Sequence, residues 1–197
     1  PHRDVGFVRA RTLELYAKHY TIGWPGEEHS SGRPNRRSPL YDRLKEAGAV
    51  FGEKLGWERP NWFTPSGGET VERYSFERPN WFAAVGNEHR ATREQVALFD
   101  QSSFAKFMMV GRDAGAALDW ICANNVTKAP GTLTYTQMLN KKGGIECDLT
   151  VARLAQDRFY IVTGTGFATH DFDWITRNIP EGLDAHLVDV TSGYATL

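Results

Sequence analysis

The sequence is poor in cysteine. Cys122 and Cys147 are its only two, too few for the disulfide framework of a small secreted scaffold. One falls in an expected helix and the other on the inward face of an expected strand, so both read as buried free thiols, which fits a reducing compartment. Asn125-Val126-Thr127 matches a glycosylation sequon, but no other feature suggests secretion. Excess charge is missing too. Lys and Arg number 23 against 24 Asp and Glu, a net charge of −1, which argues against nucleic acid or an acidic membrane surface as the main partner. No apolar run approaches a membrane span, and no signal-peptide pattern leads the chain. The six histidines, His2, His19, His29, His89, His170 and His186, lack the i, i+4 or Cys-partnered spacing of a metal site, so no metal is expected. A Gly-x-Ser-x-Gly elbow is absent, and no catalytic Cys/His pair is visible. A starting Met is lacking as well, and His186 to Leu197 still reads as strand at the end, so the chain is expected to be a fragment of a longer protein.

What is present suits a globular protein of one large or two small domains: 197 residues, 41% hydrophobic and 24% charged. Thr12 is a candidate cap for a short helix over Leu13–His19. Residues 21–39, rich in Gly and Pro, read as loop, with a basic cluster of Arg33, Arg36 and Arg37. Ser38-Pro39 opens a second helix that stops at Gly48, and a short strand or turn follows over 49–52. Glu-Arg-Pro-Asn-Trp-Phe then occurs twice, at 58–63 and 77–82. Two copies make no repeat architecture; they read equally as two similar aromatic anchors flanking a polar, Gly-containing linker or as ordinary packing of large aromatics within one part. The domain boundary is expected there, giving parts 1–70 and 71–197. A helical pattern follows over 81–99, then a strand over 104–111, and a helix over 114–122 capped by Asp113 and ended by Asn124 and Asn125. A strand at 158–163 leads through Gly164-Thr165-Gly166 into a helix from about Ala168 to Asn178. Strand, Gly-x-Gly and helix outline a dinucleotide fingerprint, but Thr169 stands where the third Gly belongs and a hairpin precedes it, so the segment reads as a tight strand-to-helix turn.

The most informative stretch is Thr134 to Leu154. It reads as strand, turn (Asn140-Lys141-Lys142-Gly143-Gly144) and strand, the two glycines supplying the positive-φ positions of a hairpin turn. Beyond the turn, side chains alternate. Ile145, Cys147, Leu149 and Val151 take one face, and Glu146, Asp148, Thr150 and Ala152 the other. If Leu139 pairs with Gly144, Tyr135 lies opposite Asp148 and shares its face; a slip of one residue sends Tyr135 to the apolar side. By spacing alone, a surface hairpin with a solvated Asp is the favoured reading.

The run Tyr135 to Val151, YTQMLNKKGGIECDLTV, resembles the hairpin of the glycine-cleavage T-protein (aminomethyltransferase) family. The segments RRSPLYDRLKEAGAVFGEKLGWERPNWF, ALFDQSSFAKFMMVG and DRFYIVTGTGFATHDFDWI resemble its dimethylglycine and sarcosine dehydrogenase branch. The resemblance covers nearly the whole chain. It implies an α+β fold in which 1–70 form a C-terminal piece of a FAD oxidoreductase part. Residues 71–197 then form the first part of a folate-binding domain of antiparallel strands and packed helices. It further implies tetrahydrofolate and FAD as cofactors, the flavin held mainly by parts outside this chain, and an N-methyl amine as substrate. The cellular setting implied is bacterial cytoplasm or mitochondrial matrix. By the same resemblance, Tyr135, Asp148 and Thr150 line the folate pocket and Asp148 is the catalytic carboxylate. A second aromatic of the family pattern is replaced by Ala152. Two other family roles remain open: a non-catalytic regulator similar to the pyruvate dehydrogenase phosphatase regulatory subunit, and a free-standing aminomethyltransferase.

Overall fold

The structure is a computed structural model that describes residues 4–197; His2 therefore lies outside the described residues. The chain separates into two compact units, one up to Ser103 and one over Phe104–Thr196.

In the first unit, helix α1 spans Val5–Lys18, starting well before the expected Leu13. Its cap is Asp4, whose carboxylate accepts the Phe7 N–H at 2.9 Å, a contact that satisfies one of the orphan donors of the first turn. On α1, Glu14 has a nearly buried carboxylate that accepts from the Ser30 and Ser31 amides at 2.9 Å each and pairs with Lys18 at 3.0 Å. Helix α2 (Tyr41–Glu46) ends where Gly48 takes φ +90°. Strands β1 (Ala49–Lys54) and β2 (Trp57–Phe63) pair antiparallel through the two-residue turn Leu55-Gly56, with φ values of 49° and 85°. Two positive φ angles in succession match the twist of a tight hairpin. The first Glu-Arg-Pro-Asn-Trp-Phe copy lies within β2. The second is a turn feeding helix α3 (Phe82–Glu94), with the Pro79 carbonyl accepting the Phe82 N–H at 3.1 Å. The expected likeness of the two anchors is thus absent. The helix expected over 81–99 is also cut short: α3 stops at Glu94, and Val96 and Phe99 are exposed.

The second unit is one five-stranded sheet with two helices on a single face. In spatial order the strands are β4 (Leu133–Leu139), β5 (Ile145–Ala155), β6 (Arg158–Thr163), β3 (Ala105–Val110) and β7 (His186–Asp189), and every neighbouring pair is antiparallel. Helices α4 (Ala114–Ile121) and α5 (Ala168–Asn178) place Leu118, Ile121 and Ile175 against Phe107, Met109, Leu149, Val151, Phe159 and Ile161. Period-two alternation drives this layering, because each strand offers one apolar face. The sheet and helices together are the α+β arrangement the sequence implies. Helix α4 ends differently from expectation. Asn124 and Asn125 keep negative φ; Cys122 turns extended, and the chain then runs along β4. There the Gln137 carbonyl accepts the Ala123 N–H at 2.8 Å, the Tyr135 carbonyl accepts from Asn124 Nδ2 at 2.8 Å, and Thr136 Oγ1 accepts the Asn124 N–H at 3.0 Å.

Candidate functional site

The β4–β5 hairpin is closed by the Asn140 side chain. Its Oδ1 accepts the Lys142 and Gly144 amides at 2.9 and 3.0 Å, and its Nδ2 donates to Glu146 at 2.8 Å. Only Gly143 of the glycine pair takes a positive φ, +80°. A bulge between Met138 and Leu139 adjusts the ladder, so that Leu139 pairs with Ile145, Gln137 with Asp148 and Tyr135 with Thr150. The expected register, with Tyr135 opposite Asp148, is therefore displaced by two residues at Tyr135. The displacement is even, so the face is preserved. Cys147, Leu149 and Val151 enter the core as expected; Ile145, at the bulge, is 66% exposed.

Tyr135, Asp148 and Thr150 thus share the sheet face that the helices leave uncovered. Thr150 pairs with Val162 and Val162 with Lys106, so Tyr135, Thr150, Val162 and Lys106 form one row across four strands. The Gln137 amide joins them: Gln137 Nε2 donates to Asp148 Oδ1 at 3.2 Å. The Asp148 carboxylate also lies against the Tyr135 phenol and holds it above its ordinary pKa. Tyr135 is 61% exposed and Asp148 is exposed. Within this unit the three residues stand on an open surface. A cavity of about 440 Å³ lies elsewhere, lined by Leu139, Asn140, Lys141, Lys142, Trp174 and Asn178. Lys106 was invisible to motif reading. It is a fully buried cation on β3 whose Nζ donates to the Tyr194 carbonyl at 2.7 Å.

Behind the same hairpin, on the helix side, the fold assembles a group that sequence spacing did not indicate. Cys147 of β5 meets His170 and Asp171 of α5, with one ligand-capable atom of each within 4.8 Å of the others. Asp171 is 1% exposed. Its Oδ2 accepts from Thr163 Oγ1 at 2.5 Å, and its Oδ1 faces His170 Nδ1 at 2.9 Å. Glu146 lies 3.5 Å from His170 Nε2. The Asp171 contact raises the His170 pKa, and burial pushes the Cys147 thiol up. Burial likewise lifts the Cys122 thiol to about 12, so neither cysteine is a ready thiolate nucleophile. Asp171 lies in the first turn of α5, where the helix dipole favours an acid; its burial against Thr163 and His170 shows a more specific role. The segment between Cys147 and His170, which are 23 positions apart, carries no local signal of their meeting.

Sequence comparison supplies the context. Residues 40–197 match the GCVT N-terminal domain, and residues 1–38 match the FAD dependent oxidoreductase central domain. The chain is 36% identical to human mitochondrial sarcosine dehydrogenase over 86% of its length, and 40% identical over 97% to the 4-methylaminobutanoate oxidase (formaldehyde-forming) of Paenarthrobacter nicotinovorans. It spans only 22% and 23% of those two proteins. Among solved structures, the glycine cleavage system aminomethyltransferase T from Bartonella henselae superposes with a TM-score of 0.64 at 26% identity, over 80% of this chain and 38% of that one. On the strength of the match over residues 40–197, the chain belongs to the GCVT N-terminal domain family.

Proposed function

We propose that this chain is part of a flavin-dependent dehydrogenase of N-methyl amines, of the dimethylglycine or sarcosine type, that passes the one-carbon unit to tetrahydrofolate and yields 5,10-methylene-tetrahydrofolate. The observation that carries the reading is the shared face of Tyr135, Asp148 and Thr150 on the hairpin that matches the family. The donor set suits a flat heterocycle bearing N–H and carbonyl groups. Tyr135 offers a ring face and a hydroxyl, Asp148 and Gln137 an adjacent acceptor and amide, and Thr150 a hydroxyl from the next position of the ladder. Tetrahydrofolate, when bound, supplies the nucleophilic nitrogen. Asp148 would accept the hydrogen bond of that N–H and take up its proton. Tyr135 and Thr150 fix the ring against Asp148, and such positioning contributes more than acidity tuning at an exposed carboxylate. No residue of this chain is assigned to FAD, which we place in parts outside it. The working division is 1–70 with the oxidoreductase part and 71–197 with the folate part.

In the full-length protein, Asp148→Ala is expected to lower methylene-tetrahydrofolate formation by at least about 100-fold while amine-driven flavin reduction persists. Unchanged folate coupling in that variant removes Asp148 from the mechanism. A full-length protein with no flavin absorption and no tetrahydrofolate binding would instead assign the chain to a regulatory relative. Mitochondrial relatives support a matrix setting, with bacterial cytoplasm as the counterpart in a bacterial source.

A further inference from the structure

We infer that Cys147, His170 and Asp171 form a zinc site on the helix side of the sheet, opposite the proposed folate face. The inference begins with donor chemistry. A thiolate sulfur, an imidazole nitrogen and a carboxylate oxygen are the three ligand types that zinc takes, and a site with three protein ligands leaves its fourth tetrahedral position to solvent. The fold brings one such atom from each residue together, all within 4.8 Å of one another.

The surroundings divide the labour further. Thr163 engages Asp171 through Oδ2, leaving Oδ1 facing His170 Nδ1 at 2.9 Å. A metal ion there displaces the proton between those two atoms and the proton of the Cys147 thiol, and both leave to solvent as the ion takes their place. Glu146 stands 3.5 Å from the other imidazole nitrogen, Nε2, and Asn140 Nδ2 in turn donates to Glu146 at 2.8 Å. That is the outer layer expected of a metal-bound histidine: a carboxylate receiving the second N–H, itself held by a hydrogen bond, so that tautomer and ring direction are set. Glu146 reaches this position because it is the extra residue of the bulge, unpaired between Ile145 and Cys147. Burial is graded in the useful direction. Cys147 and Asp171 are 2% and 1% exposed, whereas the His170 side chain is 49% exposed and gives an ion its way in. The ion bridges β5 to the first turn of α5, and Cys147 precedes Asp148 directly. Zinc therefore fastens the strand that carries the proposed catalytic carboxylate without touching the folate face.

The test uses the full-length protein and zinc alone. After dialysis against a weak chelator, metal analysis is expected to find one zinc ion per chain, and the zinc absorption edge to show one sulfur neighbour at about 2.3 Å. Loss of an outer-layer partner at metal sites costs about 10–100-fold in affinity, so Cys147→Ser and His170→Ala are each expected to weaken zinc binding by more than about 100-fold, and Cys147→Ser to abolish the sulfur signal. His170→Ala removes a half-exposed side chain and keeps the test decisive if the buried Cys147→Ser variant misfolds, with circular dichroism confirming its fold. Protein that retains no zinc, zinc bound by nitrogen and oxygen alone, or undiminished affinity in His170→Ala each overturns the site. None of these readouts depends on folate chemistry, so failure here and failure of the proposed function are separable.

Discussion

The hexapeptide Glu-Arg-Pro-Asn-Trp-Phe appears twice in one compact unit and adopts two structures. At 58–63 it is strand, with Trp62 3% exposed and Glu58 5% exposed; at 77–82 it is bend and turn, with Trp81 half-buried and Glu77 exposed. What differs is the neighbourhood. The first copy follows Leu55-Gly56, whose positive φ angles fold the chain back on β1, and it is followed by Thr64-Pro65, which cannot continue a helix. The second has no strand beside it and runs into Ala83-Ala84, two strong helix formers. Six identical residues thus carry little structure of their own; the preceding turn and the following residues decide it.

Paired substitutions break the comparison open. The largest expected effect is Trp62→Ala, at about 3–5 kcal/mol for emptying a buried indole site. Trp81→Ala should cost about 1–2 kcal/mol, chiefly its edge-on contact with Tyr74 at 5.5 Å. Urea unfolding followed by circular dichroism ranks them, and equal losses would mean the two indoles are equally packed. Next comes Glu58→Ala. Glu58 grips Arg33 through two bonds, at 2.9 and 2.6 Å, with side-chain exposures of 3% and 21%. Removing one partner of a buried pair strands the other, so about 2–3 kcal/mol is expected after allowing for the partial exposure of Arg33. Glu77→Ala should change stability by less than about 0.5 kcal/mol, as at other exposed positions. The smallest test reverses the ranking. Asn80 accepts the Arg73 N–H at 2.9 Å and donates to the Val71 carbonyl at 2.8 Å, pinning the loop before it, whereas Asn61 makes one exposed bond to Glu72 at 3.0 Å. Asn80→Ala is therefore expected to cost about 1 kcal/mol and Asn61→Ala a few tenths. If Asn61 proved the costlier of the two, the loop would draw its order from elsewhere.

Legibility followed the range of the interaction. Strand β6 and helix α5 read correctly from periodicity and the Gly164-Thr165-Gly166 turn, because their signals are local. The face shared by Tyr135, Asp148 and Thr150 was readable from alternation, which survives an even shift of register. The register itself was not, because it depends on a bulge and on the Asn140 side chain. The start of α1 was misplaced because Thr12 competed with Asp4 as a cap and only the fold selects between them. Least readable was the meeting of Cys147 with His170 and Asp171. It needs β5 and α5 in contact, and residues 23 apart on different elements announce nothing to each other in the sequence.

Strand β4 forms one border of the five-stranded sheet, and such a border ordinarily offers unpaired amides and carbonyls to any passing chain. Here the segment that leaves α4 lies alongside it, with Ala123 and Asn124 occupying the Gln137 and Tyr135 carbonyls. That short run acts as a selvedge. Loosening it, for instance with Asn124→Gly, would expose fresh backbone to intermolecular pairing, and self-association rather than lost chemistry would be the first symptom.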